Sequence, residues 1–451
     1  MKFSPRQHQL QLKKAILESK GNGVIGYHGM GLGKTFTALI TARELVSELA
    51  KKFRRDSIKV IVICPKSALI TWRHEIGQQA PDLINNIILT TFSSLHQLVK
   101  RLERTTINVY AMLIVDECHY LKNPEAERTR TFTKLLDAIA PYFHGKCLPM
   151  TGTPTPNNGA EIYTSFWLVS SPTLSQASAM IKDIDQFQKF RDIFTIKEQK
   201  RAKRRDWTSP SGFSFMNVVS FKALQNEDKF YQLINPFCHY RRIEDCIDMP
   251  EKNIVNIRLD IPDDDLLKNA NMEMPDAYMS KLERIATAKT PTAIAWIEEF
   301  METGEQLVVF SMFTKGLRII EQHFKGQVKL ITGAESQTVR SQTIQAFQNK
   351  QIQVIALSFG AGAESLNLQN ANNSLYINFP WNDDKLAQAM ARTYRGGQAK
   401  KTNHYFLFSG ENDETCFKRV LDKREFNEGI RNSLLTDNAP QEIKREEKLW
   451  L

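Results

Sequence analysis

Three groups of residues carry chemistry in their types and spacing. Gly29-Met-Gly31-Leu-Gly33-Lys34-Thr35 lies between a short apolar run, Val24–Tyr27, and a segment with helical period. Glycines there let backbone N–H groups curl around phosphates, and the helix N-terminus adds positive potential. Lys34 would reach the β- and γ-phosphates, and Thr35 would ligate Mg²⁺. The pattern G-x-x-x-x-G-K-[ST] departs at its first position, where this chain has His28. The second group is Asp116-Glu117, at the end of the apolar run Tyr110–Val115. An acidic pair at the C-terminal edge of a parallel sheet can hold a cation through Asp116 and polarise a water through Glu117. The third is Gln388, Arg392 and Arg395, spaced i, i+4 and i+7, which predicts one helix face presenting an amide and two guanidiniums.

The elements that must position these residues follow from the pattern. Leu39, Ala42, Leu45, Val46 and Leu49 recur at three- and four-residue spacing behind the glycine-rich loop, as in an amphipathic helix. Ile58–Cys64, Ile87–Thr91, Val109–Val115 and Lys146–Met150 are short apolar runs separated by polar helical stretches. Such runs suit strands covered by helices on both faces, so a doubly wound parallel sheet is expected. Residues 171–250 break the rhythm with Ser171-Pro172, Ser209-Pro210-Ser211-Gly212 and a basic run, and read as a helical insertion over about 171–247. The run packs Lys197, Lys200, Arg201, Lys203, Arg204 and Arg205 into nine residues, suiting a solvated loop or helix face. The strand–helix rhythm resumes at Ile254–Ile261, Leu307–Ser311, Val328–Ile331, Ile352–Leu357, Ser374–Phe379 and Tyr405–Phe408, with helical patterns at 314–325, 336–349 and 383–394. Two α/β lobes with a cleft between them are expected, residues 1–250 and 251–451.

Composition agrees with a folded chain and excludes several classes. Of 451 residues, 42% are hydrophobic and 10% aromatic, too many for a disordered chain. The densest apolar stretches, Val60–Cys64 and Ala111–Val115, and even the whole run Val109–Val115, fall far short of the roughly 20 residues that cross a membrane. No apolar h-region follows Met1, so no signal peptide is expected. Six scattered cysteines read as reduced thiols, and Cys238, His239 and Cys246 fit no standard metal-ligand spacing. A net charge of +10 suggests a polyanionic partner.

Asp116-Glu-Cys-His119, followed by Leu121-Lys-Asn-Pro124, strongly resembles motif II of SNF2-type superfamily 2 helicases. The rest of the chain is similar to that family in order. Cys64-Pro-Lys-Ser67 with Trp72 resembles motif Ia, Thr91-Phe-Ser93 motif Ib, and Thr151-Gly-Thr153-Pro154 motif III. Val309 to Thr314 resembles motif IV, Leu357-Ser358 through Leu368 motif V, and Gln388 through Gln398 motif VI. The resemblance implies two tandem RecA-like lobes, ATP and Mg²⁺ as cofactors, and Gln7 as the residue that reads adenine. It makes Arg392 and Arg395 arginine fingers acting across the cleft on a nucleotide held by Lys34. It places Lys66, Ser67, Thr91, Ser311, Ser358, Trp381 and Asn382 against nucleic acid, mostly in contacts indifferent to sequence. Thr151 and Thr153 would couple the lobes; His119 admits two readings, a satisfied structural histidine or a link between lobes. In that setting Arg201, Arg204 and Arg205 become a further duplex or junction contact.

Departures from the family pattern are His28-Gly29, Phe359-Gly-Ala-Gly-Ala363 in motif V and Tyr394 in motif VI. They spare Lys34, Asp116, Glu117, Arg392 and Arg395, so ATPase activity is expected. The segment from Gly212-Phe213 through Arg242 is most similar to the fork-remodelling subgroup. The expectation is therefore a DNA-dependent ATPase and helicase that moves on duplex DNA and remodels forks and Holliday junctions. It would be a soluble intracellular monomer, of compact phage or bacterial form. Two alternatives stand beside it: a duplex translocase that displaces bound proteins without separating strands, and a DNA-binding scaffold switched by nucleotide.

Overall fold

The chain starts with a helix whose one apolar face, Leu12 and Ile16, has no exposed surface. This is α1 (Gln7–Glu18); it is followed by β1 (Ile25–His28), α2 (Lys34–Leu49), β2 (Ile58–Cys64), α3 (Leu69–Gln79), β3 (Ile87–Thr91), β4 (Val109–Asp116) and β5 (Phe143–Met150). These elements belong to a computed structural model that describes residues 4–104, 108–152, 158–205, 213–259, 275–362, 366, 368–380, 383–410, 413–418 and 420. Further along come β6 (Ile196–Arg205), β7 (Phe213–Lys222) and β8 (Cys238–Arg241). Six strands form one parallel sheet in the order β3-β2-β4-β5-β1-β8.

Burial on both faces explains why these strands read as unbroken apolar runs. Along β2, Ile61 and Ile63 enter one core while Val60, Val62 and Cys64 enter the other. Along β4, Leu113 and Val115 go to the first and Met112 and Ile114 to the second. The period-2 alternation of a strand therefore feeds two cores, and neither set can be polar. Burying each such side chain contributes about 1.5–3 kcal/mol.

The second sheet repeats the plan. Its strands are β9 (Lys252–Arg258), β10 (Leu307–Ser311), β11 (Val328–Ile331), β12 (Val354–Ser358), β13 (Asn373–Tyr376) and β14 (Thr402–Phe408), in the order β11-β12-β10-β13-β14-β9, again all parallel. Val308 and Phe310 face one core; Leu307 and Val309 face the other. The architecture is thus α/β with two doubly wound parallel sheets, as the sequence predicts. The described chain divides into two compact units, one holding Met1–Ile196 and Phe221–Cys246, the other Lys197–Ser220 and the residues within Ile247–Arg424.

Three expectations change. The basic run is a strand, β6, in a two-stranded sheet with β7, and not a loop or helix face. Its partner explains this, since β7 carries Phe213, Phe215, Val218 and Val219, residue types that favour strands. The insertion is accordingly mixed, with helices Leu174–Lys182, Ile184–Phe194 and Glu227–Ile234 beside that strand pair. Its end also returns to the main sheet, because Cys238–Arg241 pairs in register with Ile25–His28. Finally, the helix over 383–394 ends at Met390; Arg392 and Arg395 follow in turns, with Gly397 at φ 100°. Gln388 alone of the three lies on the helix. Among the described residues no helix is long and apolar enough to cross a membrane.

A buried polar node closes the second sheet. Lys289 has no exposed surface; its Nζ donates to the carbonyls of Ile377 and Leu407 at 2.9 and 2.8 Å and pairs with Asp413. Asp413 also accepts from the Ser409 amide and hydroxyl, both at 2.8 Å. Removing one partner of such a pair strands the other charge in the core. Lys289→Met should therefore lower stability by about 3–5 kcal/mol in denaturant unfolding, with Lys289→Met/Asp413→Asn recovering part of the loss.

Candidate active site

The phosphate loop begins where β1 ends. Gly31 and Gly33 adopt φ of 83° and 72°, a region that favours glycine, and Gly33 caps α2. A Cβ at Gly33 would also lie 2.4 Å from Gln9 Nε2. Lys34 is the first residue of α2, and its Nζ donates to the His28 carbonyl at 2.8 Å. Gly29 directly follows β1, and Thr35 is the second residue of α2. The loop is held from below by α1: His8 Nε2 and Gln9 Nε2 both donate to the Leu32 carbonyl, at 3.0 and 3.1 Å. Gln9 Oε1 in turn accepts from the Arg6 amide at 2.8 Å.

Gln9 is a functional residue that the sequence reading misses. It sits on the buried stripe of α1 with Leu12 and Ile16. An amide in an apolar stripe was the available signal. Gln7 is exposed and, with His8, Gln11, Arg241 and Arg242, lines a pocket of about 420 Å³. Arg241 Nη2 donates to Gln11 Oε1 at 3.0 Å, and Arg242 forks onto Asp245 at 2.9 and 3.0 Å. The pocket thus joins the start of α1 to the end of β8.

His28, at the position where the loop pattern has glycine, is fully buried, and its Nε2 shares a 2.8 Å hydrogen bond with His239 Nδ1. Burial, reinforced by neighbouring positive charges, pulls both imidazoles down, His239 to about 4 and His28 further. Both are neutral at neutral pH. One further bond joins the same strands, from the Gly29 amide to the Arg241 carbonyl at 3.0 Å. His239 therefore braces the root of the phosphate loop through β8.

The acidic pair lies at the end of β4, adjacent to β5 and one strand from β1. Glu117 takes φ 52°, a left-handed backbone for a residue with a Cβ. Holding it costs on the order of 1–3 kcal/mol and is a feature of functional sites. Its Oε2 accepts from the Thr151 hydroxyl at 3.2 Å and lies 3.3 Å from His119 Nδ1, which itself lies 3.1 Å from Thr151 Oγ1. His119 and Thr151 thus meet on Glu117. Asp116 Oδ2 accepts from Trp72 Nε1 at 2.9 Å. Burial and the Glu117 charge push the Asp116 carboxyl up, against the Trp72 hydrogen bond and Lys34. Burial would raise Glu117 too, but His119, Lys34 and Thr151 carry it below its ordinary value. Two crowded, buried carboxylates, with the Thr35 hydroxyl in the same unit, form a hard oxygen donor set suited to a cation such as Mg²⁺.

The remaining predicted residues fall in several settings. Lys66 is exposed and Ser67 half-buried in a single 3-10 turn before α3. Thr91 is buried, and its hydroxyl accepts from the Ser94 amide at 3.3 Å as a cap. Ser311 and Ser358 end β10 and β12 and are buried, with Ser311 Oγ accepting from the Phe313 amide at 3.1 Å. Contacts made by these three segments would run through backbone. Arg392 is buried, donating to the Leu366 carbonyl at 3.2 Å, while Arg395 and Gln388 are half-buried. Arg201, Arg204 and Arg205 have described backbone in β6 only. Thr153, Trp381 and Asn382 lie outside the described residues.

Residues 8–85 and 79–294 match the SNF2-related domain, and residues 292–397 match the helicase conserved C-terminal domain. Among curated relatives, the putative ATP-dependent helicase/translocase YwqA of Bacillus subtilis is 24% identical over 95% of this chain and 49% of its own length. The SWI/SNF-related matrix-associated actin-dependent regulator of chromatin subfamily A-like protein 1 of Xenopus laevis is 25% identical over 87% of this chain and 41% of its own. The chain thus spans half or less of those relatives. The Sulfolobus solfataricus SWI2/SNF2 ATPase core in complex with dsDNA aligns with 97% of this chain and 96% of its own, at 20% identity and a TM-score of 0.37.

The two glutamines of α1 should separate in binding experiments. Gln9→Leu removes a buried hydrogen bond to the loop and should weaken binding of fluorescent adenine and guanine nucleotides alike, by roughly 3- to 10-fold. Gln7→Ala should narrow the preference for adenine over guanine and leave guanine-nucleotide binding unchanged.

Proposed function

Because the chain belongs to the SNF2-related family, we propose that it is a DNA-dependent ATPase that moves on duplex DNA and remodels branched DNA. The observation that carries the ATPase reading is the convergence of Lys34, Asp116, Glu117 and Thr151 on the ends of β1, β4 and β5. Loop amides and Lys34 bind the phosphates, and Gln7 with the pocket beside it takes the base. Thr35 and Asp116 would hold Mg²⁺, which would supply neutralisation of phosphate charge. Glu117, kept ionised by His119 and Thr151, accepts a proton from the attacking water. Arg392 and Arg395 would stabilise charge on the transferring phosphoryl group, an effect worth roughly 10³–10⁵ in rate in related chemistry.

DNA engagement through Lys66, Ser67 and the backbone around Thr91, Ser311 and Ser358 suits phosphate contacts, indifferent to sequence. The strand pair β6–β7, carrying Arg201, Arg204 and Arg205, adds a further contact. A role in DNA repair or recombination, the setting in which branched DNA would be met, is in keeping with the name of one relative, the DNA repair and recombination protein RAD54 of Saccharomyces cerevisiae, 23% identical over 96% of this chain.

Lys34→Ala should abolish DNA-stimulated ATP hydrolysis. Glu117→Gln should retain ATP binding while lowering kcat by roughly 10²–10⁴. Unchanged turnover in either variant would refute the assignment. Forked and four-way junction DNA, compared with blunt duplex, should release labelled strands in an ATP-dependent reaction. Hydrolysis with displacement of bound protein and no strand release would favour a plain duplex translocase.

A further inference from the structure

Trp72 has 1% of its surface exposed and lies in the first turn of α3, where its indole donates to Asp116 Oδ2 at 2.9 Å. An indole has a single N–H and accepts nothing, and a buried one requires a partner. Here that partner is the carboxylate suited to the cation, and only one of its two oxygens is occupied by the bond. Trp72 and Ile76, one turn apart, pack into the same core as Val62 and Ile114, so the helix is anchored in that core. The helix is continuous with the turn Lys66–Ala68; Leu69 follows Ala68 directly, and the turn is closed by the Ala68 amide on the Pro65 carbonyl at 3.0 Å. Lys66 stands exposed on that turn.

One short rigid piece therefore carries an exposed cation at one end and a hydrogen bond to Asp116 at the other. We propose that Trp72 is a positioning residue that orients Asp116 for its divalent cation, and that phosphate contact at Lys66 and Ser67 reaches the nucleotide site through it. This deepens the functional reading above and rests on it. Ligand-orienting hydrogen bonds of this kind typically govern metal affinity by 10- to 100-fold.

The test uses the full chain and Trp72→Phe, which keeps an aromatic ring and loses the N–H. The measured quantity is the Mg²⁺ concentration at half-maximal binding of a fluorescent non-hydrolysable ATP analogue, with and without blunt duplex DNA. In the unmodified chain, DNA should lower that concentration. In Trp72→Phe it should rise roughly 10-fold or more, and the DNA effect should vanish. A Trp72→Phe protein with a normal melting temperature and an unchanged Mg²⁺ midpoint would overturn the proposal. On an Asp116→Asn background the substitution should add nothing; an equal effect in both backgrounds would reduce Trp72 to packing.

A second measurement needs no variant. Of the six tryptophan indole N–H resonances, at least one should move on adding Mg²⁺ and nucleotide to the ¹⁵N-labelled protein; none moving would also overturn the proposal. Absence of DNA-stimulated hydrolysis in the unmodified chain would sink the functional reading itself, and this inference with it. Intact stimulation alongside an indifferent Trp72→Phe would sink this inference alone.

Discussion

The parallel alignment of β4, β5 and β1 is the constraint on which the rest of the first unit depends. Asp116 lies opposite Met150, and Met150 lies opposite Gly26, so β4 and β5 stop at one level and β1 runs on past it to His28 before the loop begins. Both faces of these strands are buried in separate cores, and the polar groups of the candidate site stand at their C-terminal ends. The phosphate loop, the acidic pair and Thr151 each occupy one of those ends. None is near another in sequence, and none could act without the register that aligns them.

Desolvation then sets the character of each group. The carboxylates at the end of β4 are crowded and buried, so one is pushed up while His119, Lys34 and the Thr151 hydrogen bond hold the other down. The imidazoles beneath the loop are kept neutral and serve as braces. The second unit uses the opposite device, a buried ammonium satisfied by two carbonyls and a carboxylate, to close the ends of β13 and β14. In each case an ionisable group is buried together with its partner, so its geometry is strict.

How much of this was legible in the chain depends on how local the signal is. The glycine-rich loop, the acidic pair and the apolar strands are contiguous, and each was readable alone. Gln9 was hidden because its role shows only when α1 lies under the loop, although its place beside Leu12 and Ile16 was visible. β8 was hidden because four residues, Cys-His-Tyr-Arg, carry no strand pattern until β1 supplies hydrogen bonds. β6 was misread for the same reason, since a lysine- and arginine-rich run gains strand character only from β7. Motif VI kept its residues and lost its helix: the backbone turns after Met390, and Gln398 pins the segment by donating to the carbonyls of Gln369 and Ala371, each at 3.0 Å.

The amino-acid order by itself determined the two α/β units, the residues able to bind phosphate and cation, and the family they resemble, because period and motif are short-range properties of a chain. Tertiary structure alone decided that His239 would brace His28, that Trp72 would bond Asp116, and that Glu117 would be held in a left-handed backbone between Thr151 and His119. Those contacts join residues tens to hundreds of positions apart. Their energy comes from hydrogen bonds made where water has been excluded, a condition that exists only once the sheet and its two cores have assembled.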